Sequence, residues 1–184
     1  SGGIYSSSGL NIANSHFFDN QAANFGSCIV MMNSGALNVT NSQFRRNKST
    51  LKGGVIYSSS YDQLTLTNVS TQGNSAQLGG TIFFDIPIDT SIEAPSVRFV
   101  SIDDHSSFED YASIAGGSFF SHKRAHMAFD SSLFDLVKSN ISSLGYGRVF
   151  ASEPKSLETT HIETLINNIA QWTDVNAFTL LNNS

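Results

Sequence analysis

The chain has 184 residues, a net charge of −5 and only 14% charged residues. A nucleic-acid partner would require a basic face, so this charge balance argues against one. No apolar run approaches the roughly 20 residues of a membrane-spanning helix, and the single cysteine, Cys28, excludes an internal disulfide framework.

The first eighty residues state one pattern three times, at an interval of 27 residues. Each copy contains a block that begins with Asn and ends with Asn six residues later. An apolar pair such as Leu10 and Ile12 precedes the block, and a small-residue corner followed by Ile comes after it. The first Asn is Asn14, Asn41 or Asn68, and the last is Asn20, Asn47 or Asn74. A fixed period of this length is typical of a solenoid.

The short apolar segments of each repeat are predicted to be β-strands. Their apolar residues alternate with polar ones, which indicates one inward face. Short strands at this period predict a parallel β-helix, in which about 24 residues at roughly 3.3 Å each close one coil. A helical solenoid is the competing form, but the Gly-Gly pairs and β-branched runs oppose long helices.

The repeat frame predicts three inward columns of apolar side chains, because the alternation is locked to the period. The first column contains Ile4, Ile29, Ile56, Ile82 and Phe119; the second contains Leu10, Leu37, Leu64, Val97 and Met127; the third contains Ile12, Val39, Leu66, Phe99 and Phe129.

Two kinds of residue are predicted to shape the turns. Asn14, Asn41 and Asn68 are expected to lie inward or within a turn and to hydrogen-bond from coil to coil as a structural Asn ladder. Glycine pairs permit positive φ and a sharp bend where a Cβ would collide. These turn glycines are Gly53, Gly54, Gly79, Gly80, Gly116 and Gly117.

The period weakens along the rest of the chain. Residues 79–115 keep the glycine corner but are longer, and residues 116–145 carry a worn copy. We therefore predict about five coils of parallel β-helix over residues 1–145, a junction over 146–155, and the incomplete start of a further β-rich module over 156–184. The C-terminal side of the core is expected to be covered by residues from about 148 onward. The frame begins inside a repeat, which favours a segment of a longer protein.

These motifs resemble a known repeat family. Gly-Gly-x-Ile at 53–56 and Phe-x-x-Asn at 17–20 and 44–47 resemble the polymorphic outer-membrane protein repeat. The resemblance implies a right-handed, pectin-lyase-like parallel β-helix of the kind found in adhesins and other surface proteins. Residues 145–154 are similar to a junction of large protist surface proteins, ciliate ones especially, where β-helix repeats precede a β-sandwich-like module. Arg148 replaces a Pro of that junction.

One acidic cluster is a candidate catalytic or calcium-binding site: Asp103, Asp104, His105, Glu109 and Asp110. Glycoside hydrolysis needs two carboxylates about 5 to 9.5 Å apart across a sugar, and the adjacent Asp103 and Asp104 would point to opposite faces of a strand. A calcium site needs converging oxygen ligands, and no EF-hand spacing is present. A solvated turn is therefore favoured over a calcium or catalytic site.

Three other features have structural and functional interpretations. His122 and His126 would form a zinc pair only on a helix, and an exposed basic turn over 122–126 is favoured. Tyr5, Tyr57 and Trp172 could form a sugar-stacking stripe, and packing is favoured. Cys28 is interpreted as a small buried apolar residue rather than a reactive thiol.

Five Asn-x-Ser/Thr sequons are candidate N-glycosylation sites and are compatible with a secreted protein. They lie at Asn38, Asn47, Asn68, Asn140 and Asn182. At Asn47 and Asn68, which occupy repeat positions, a structural role competes with glycan attachment.

The leading functional hypothesis is a structural or adhesive segment of a large extracellular or cell-surface protein, with no catalytic activity of its own. Its partners would be other proteins, further coils of the same protein, or glycans, and the sequence calls for no metal or other cofactor. The alternative is a carbohydrate-binding or polysaccharide-degrading pectin-lyase-like β-helix. An enzyme of that kind needs a groove lined by convergent carboxylates, whereas a rod carries stacked Ser, Thr and Asn outside.

Overall fold

The computed structural model describes residues 3–32, 35–59, 63–85, 97–103, 105–122, 126–129, 150–152 and 156–159. In this part of the chain every regular element is a β-strand, and all strand pairings are parallel. The strands are β1 (Ile4–Ser6), β2 (Leu10–Ala13), β3 (His16–Phe18), β4 (Gln21–Ala22), β5 (Ile29–Met31), β6 (Leu37–Arg45), β7 (Lys48–Ser49), β8 (Ile56–Ser58), β9 (Leu64–Leu78), β10 (Ile82–Asp85), β11 (Val97–Ile102), β12 (Ser107–Ala115), β13 (Phe119–His122), β14 (His126–Phe129), β15 (Phe150–Ser152) and β16 (Ser156–Thr159).

The strands form two sheets, and each repeat contributes to both. The six-stranded sheet has the order β1-β5-β8-β10-β13-β15, and the main path of the ten-stranded sheet is β16-β14-β11-β9-β6-β2. The remaining strands pair along the same sheet: β3 with β6, β12 with β9, and β7 with both β4 and β9. The result is a curled, all-β, parallel arrangement in which each strand pairs with strands of the neighbouring repeats.

Residues with positive φ bend the long strands of the ten-stranded sheet. Asn14, Asn41 and Asn68 have φ of 50°, 47° and 52°, and five residues later Asp19, Arg46 and Gly73 have φ of 56°, 53° and 67°. The left-handed backbone conformation is rare for residues other than Gly, Asn and Asp. Two bends per repeat therefore lie in register across three repeats, and they turn the chain without breaking the pairing of β6 with β9.

The main core fills the space between the two sheets. Ile4, Ile29, Ile56, Ile82 and Phe119 pair in one continuous register, which confirms the first predicted column. All of them are buried except Ile4, which is partly buried. Leu10, Leu37 and Leu64, and likewise Ile12, Val39 and Leu66, are also in register as predicted.

The second and third predicted columns are wrong at the fourth and fifth repeats. Val100 pairs with Leu64 and Ile102 with Leu66, so Val97 and Phe99 are not the counterparts. Phe129 pairs with Val100 and therefore belongs to the second column, whereas Met127 pairs with Arg98. Alternation alone could not choose between Val97-x-Phe99 and Val100-x-Ile102. The choice is made by Asp103, which follows Ile102 and binds the backbone N–H of Asn68.

A second apolar cluster covers the other face of the six-stranded sheet. Val30, Tyr57, Phe83 and Phe120 are consecutive in the strand register, and all four are buried together with Ala115. The rings of Tyr57, Phe83 and Phe120 are stacked, with centroids 5.9 and 5.2 Å apart. Consecutive apolar residues such as Phe83-Phe84 thus have both faces of the strand buried.

Both sheets continue past residue 145, where the sequence predicted a boundary. β15 pairs with β13, and β16 pairs with β14. Residues 150–152 therefore extend the six-stranded sheet. Residues 156–159 extend the ten-stranded sheet and so do not begin a separate sheet. The rest of the predicted module, up to residue 184, lies outside the described residues, as does most of the junction.

The corners between the two sheets contain the predicted glycines. Gly53, Gly79 and Gly116 have φ of 64°, 65° and 64°. A Cβ at Gly53 would overlap the carbonyl oxygen of Ile56, so this corner requires glycine for both its conformation and its space.

Among the described residues, no helix is long and apolar enough to span a membrane.

Candidate functional site

The predicted Asn ladder lies at the first bend and is exposed. Asn68 Nδ2 donates to Asn41 Oδ1 at 2.9 Å, and Asn41 Nδ2 donates to Asn14 Oδ1 at 3.3 Å. The three residues lie within the turn, in left-handed conformation, and not inward. In the fourth repeat Asp103 Oδ1 accepts the Asn68 backbone N–H at 2.9 Å. Because water competes for these groups, this exposed ladder shapes the turn but contributes modestly to stability.

A second Asn ladder is buried, and it contains the last Asn of each block. Asn47 Oδ1 accepts the backbone N–H and the Nδ2 of Asn20, both at 3.0 Å. Asn74 Oδ1 accepts the same two groups of Asn47 at 2.9 and 2.8 Å. Asn47 Nδ2 also donates to the carbonyl of Phe17. Asn47 and Asn74 are 0% exposed, so this buried ladder satisfies backbone groups that water cannot reach.

Asp110 occupies the ladder position of the fourth repeat. Its Oδ1 accepts the backbone N–H and Nδ2 of Asn74 at 2.9 and 2.8 Å, and its Oδ2 accepts the Thr81 hydroxyl at 2.5 Å. Desolvation of this buried carboxyl raises its pKa to about 6, although the hydrogen bonds from Thr81 and Asn74 act to lower it. Asp110 is therefore an integral part of the interior and not a member of a solvated acidic turn.

Cys28 lies beside the first rung of the buried ladder. It is 0% exposed, and burial raises the pKa of its thiol to about 12. Asn20 Nδ2 lies 3.9 Å from the sulfur. The thiolate is the reactive species, so the environment of Cys28 is that of an inert interior residue.

We expect Cys28 in the folded protein to resist a water-soluble aromatic disulfide reagent and to react fully once urea unfolds the chain. Burial and the raised pKa both suppress the thiolate. The release of the coloured thiolate measures the reaction, and Ser7→Cys, which places a thiol at an exposed position, is the positive control. Fast labelling of Cys28 in native conditions, at the rate of the Ser7→Cys thiol, would show that this environment has been misassigned.

The other acidic residues of the cluster do not converge. Asp103 Oδ1 accepts the Ser106 hydroxyl at 2.7 Å, and Glu109 accepts Gln72 Nε2 at 2.9 Å on the exposed surface. Partial burial raises the pKa of Asp103, but hydrogen bonds from Ser106 and Asn68 outweigh it and lower the pKa. The exposed His105 lies 3.6 Å from Asp103. Within the described ranges no three His, Cys, Asp or Glu side chains are grouped as metal ligands, and Asp104 lies outside them.

A charged group meets the aromatic stack of the second apolar cluster. Lys52 Nζ lies 4.6 Å from the Phe83 ring centroid and 3.1 Å from Asp85 Oδ2. The Tyr57 hydroxyl donates to the same oxygen at 2.6 Å. Burial, with the nearby Asp85, raises the pKa of Tyr57. Phe25 stacks on the other side of the Tyr57 ring at 4.7 Å, so Tyr57 is a packing residue, while Tyr5 is 63% exposed.

The remaining candidates are only partly described. His122 ends β13 and His126 begins β14, so the two histidines lie on different strands and not on one helix turn. Residues 123–125 between them and Trp172 lie outside the described part of the chain.

The sequons differ in accessibility. Asn38 is partly exposed, and its Nδ2 donates to Asn11 Oδ1 at 2.8 Å. Asn68 is exposed in the first bend. Asn47 is fully buried with its amide in the ladder, so it has the structural role that competes with glycan attachment there. Asn140 and Asn182 lie outside the described residues.

The outward face of the ten-stranded sheet carries aligned polar side chains. One row contains Asn11, Asn38, Thr65 and Ser101, and a second contains His16, Gln43, Ser70 and Ser107. At the second bend, Arg46 forms a bidentate ion pair with Asp19, in which Nε donates to Oδ1 at 2.8 Å and Nη2 donates to Oδ2 at 2.7 Å. In the two rows, Asn38 bonds to Asn11 and Ser107 to Ser70, each in the neighbouring repeat.

Comparisons of the chain with family models, with curated proteins and with solved structures found no match. The signal for the buried ladder was nevertheless present in the sequence, because Asn20, Asn47 and Asn74 recur at the same interval as Asn14, Asn41 and Asn68. The role of Asp110 carried no such signal, because its distance from Asn74 is 36 residues, not 27.

Proposed function

We propose that this chain is part of a right-handed parallel β-helix that has a structural or adhesive role in a large extracellular or cell-surface protein. In the described part of the chain each repeat contributes a strand to both sheets, and all pairings are parallel, which is the arrangement of strands in such a solenoid. Crossovers between parallel strands are right-handed in nearly all proteins, and the resemblance of the repeats points to the same hand.

The observation that carries the structural role is the way the polar side chains are used. On the outward face, Asn38 bonds to Asn11, Asn68 to Asn41, and Arg46 to Asp19. Groups that are bonded to one another from repeat to repeat hold the stack in register. Such a regular polar surface suits a rod whose contacts are made over an extended area.

The carboxyl groups give no comparable support to a polysaccharide-degrading function. Asp110 is enclosed in the buried ladder, Asp103 binds the backbone of the third repeat, and Asp19 is paired with Arg46. A glycoside-cleaving site needs two carboxyl groups that face one sugar across a cleft. The carboxyl groups of Asp110, Asp103 and Asp19 have partners within the protein instead.

Surface labelling of intact cells tests the proposed location. A membrane-impermeant biotin reagent, followed by capture and detection with an antibody against this chain, is expected to label the protein without lysis. A cytosolic enzyme of the same cells serves as the negative control. Labelling that appears only after lysis would contradict an extracellular location.

Glycan mapping offers a matched test within one repeat of the fold. When the chain is expressed through a eukaryotic secretory pathway, peptides that contain Asn38 or Asn68 are expected to carry glycans, and peptides that contain Asn47 are not, because Asn47 is buried.

The carbohydrate hypothesis is tested separately, by sedimenting the chain with insoluble polysaccharides and assaying for released reducing ends. Saturable binding or release of sugar would favour the alternative function.

A further inference from the structure

The buried ladder has a direction, and it ends on a group that can be ionised. Nδ2 of Asn20, of Asn47 and of Asn74 each donates to the ladder residue of the following repeat. The final acceptor is Asp110, a carboxyl group that is 2% exposed. The Asp110 side chain has no N–H group, so the series of side-chain amide donors ends at the fourth repeat.

The surroundings of Asp110 accommodate both protonation states. As a carboxylate it accepts from Asn74 through Oδ1 and from the Thr81 hydroxyl through Oδ2, at 2.5 Å. As a neutral acid it keeps the Asn74 bonds through Oδ1, and an Oδ2–H can donate to Thr81 Oγ1 because a hydroxyl both donates and accepts. Neutralisation therefore keeps the hydrogen bonds to Asn74 and Thr81, and it removes the cost of keeping a charge away from water.

No described cationic side chain is among the groups that shift the pKa of Asp110. Asn74 and Thr71 face Asp110 from β9, Thr81 faces it from the glycine corner, and Cys28 is close enough to interact electrostatically. Cys28 is neutral over the acidic and neutral range, because its pKa is about 12. Within the described ranges, no Lys, Arg or His contributes to the shift of Asp110.

We propose that Asp110 makes the attachment of the fourth repeat to the third sensitive to pH, so that the contact tightens on acidification and loosens toward neutral pH. When the fourth repeat detaches, Asp110 meets water and regains an ordinary carboxyl pKa of 3.8, whereas attached it has a pKa of about 6. The contribution of Asp110 to the attachment is therefore fully present below about pH 4 and is lost as the pH rises through about 6. The two pKa values correspond to about a hundredfold change in the opening constant.

Hydrogen exchange on the full chain tests this proposal. Exchange rates of peptides from residues 105–115, corrected for the intrinsic effect of pH, are expected to give an opening constant that rises about tenfold per pH unit between about pH 4 and 6 and then levels off. Peptides from residues 10–22, which lie far from Asp110 along the ladder, are the internal reference. An opening constant for residues 105–115 that stays level over this range would overturn the proposal.

Two variants separate Asp110 from other titrating groups. Asp110→Asn keeps the acceptor for Asn74 and cannot ionise, so its opening constant is expected to be constant between about pH 4 and 7. Thr81→Val removes the donor to Oδ2, and Val55 shows that Val fits the equivalent corner of the third repeat. Thr81 gives the anion a charge-assisted hydrogen bond and the neutral acid an ordinary one, so its loss disfavours the anion more and the transition is expected at higher pH. A slope that survives in Asp110→Asn, or an unshifted transition in Thr81→Val, would refute the proposal.

Discussion

Asn47→Ala is expected to lower the free energy of unfolding by about 3–5 kcal/mol, because it removes the centre of the buried ladder. The Asn47 side chain accepts two N–H groups of Asn20 and donates to Asn74 Oδ1 and to the Phe17 carbonyl. The substitution leaves these groups without partners inside the protein. Each buried group that loses its partner costs about 1–3 kcal/mol.

The matched control is Asn41→Gly, at the exposed ladder of the same repeat. Glycine adopts the positive φ of Asn41 freely, so this variant loses only two exposed side-chain hydrogen bonds. Its expected loss is below about 1 kcal/mol. Urea denaturation followed by circular dichroism measures both variants, and equal losses at the two positions would show that burial does not distinguish the two ladders.

Gly54→Ala is expected to be the other severe substitution, costing about 4 kcal/mol or more or preventing folding. A Cβ at Gly54 would overlap the carbonyl oxygen of Gly80 and come within 2.9 Å of the Ser75 backbone. These neighbours are backbone atoms of β9 and of the fourth repeat's glycine corner, so they cannot move aside without breaking the stacking of the third repeat on the fourth.

Two other glycines provide controls for Gly54→Ala. Gly9→Ala meets its nearest atom, the Ala36 oxygen, at 3.5 Å, and is expected to be nearly neutral. Gly73→Asn introduces a residue that tolerates the left-handed conformation, and the nearest atom to a Cβ at this position is 3.9 Å away. Thermal unfolding of the three variants is the measurement. Gly54→Ala melting within a few degrees of Gly9→Ala would contradict the close approach of the backbones.

The columns that the sequence predicted correctly are those in which two periodicities agree. Ile29, Ile56 and Ile82 follow a glycine or serine corner at a nearly constant interval, and the strand alternation places each of them inward. A one-residue slip would turn every apolar side chain of such a strand to the opposite face. Pattern and energetics therefore select the same register.

The two ladders show where period-two reasoning fails. Asn14 and Asn20 are an even number of residues apart, so an uninterrupted strand would place both on one face. The positive φ of Asn14 and Asp19 rotates the chain between them, and Asn14 stays exposed while the ladder of Asn20 is buried. A sequence pattern does not reveal which Asn of a block takes the left-handed conformation, since Asn is tolerated there as well as in turns.

The second apolar cluster was missed for a related reason. Strand alternation indicates one inward face, so the pattern favoured packing for Tyr57 but did not place Phe83 and Phe120 in a cluster with it. The glycine corners turn the chain so sharply that residues just before them, such as Phe25 and Lys52, pack over the outer face of the six-stranded sheet. The fourth-repeat register was likewise set by long-range bonds of Asp103 and Asp110, which no local pattern encodes.

The pairing of each strand with neighbouring repeats determines the sequence of steps by which the chain can fold. No described strand pairs with a strand two repeats away, so every loop that must close spans about one repeat. The entropic cost of closing a loop rises only weakly with the number of residues in the loop. Each added repeat therefore faces a similar kinetic barrier, whatever the number already formed. During synthesis, ordering can advance one repeat behind the ribosome, starting from any pair of neighbours that docks first.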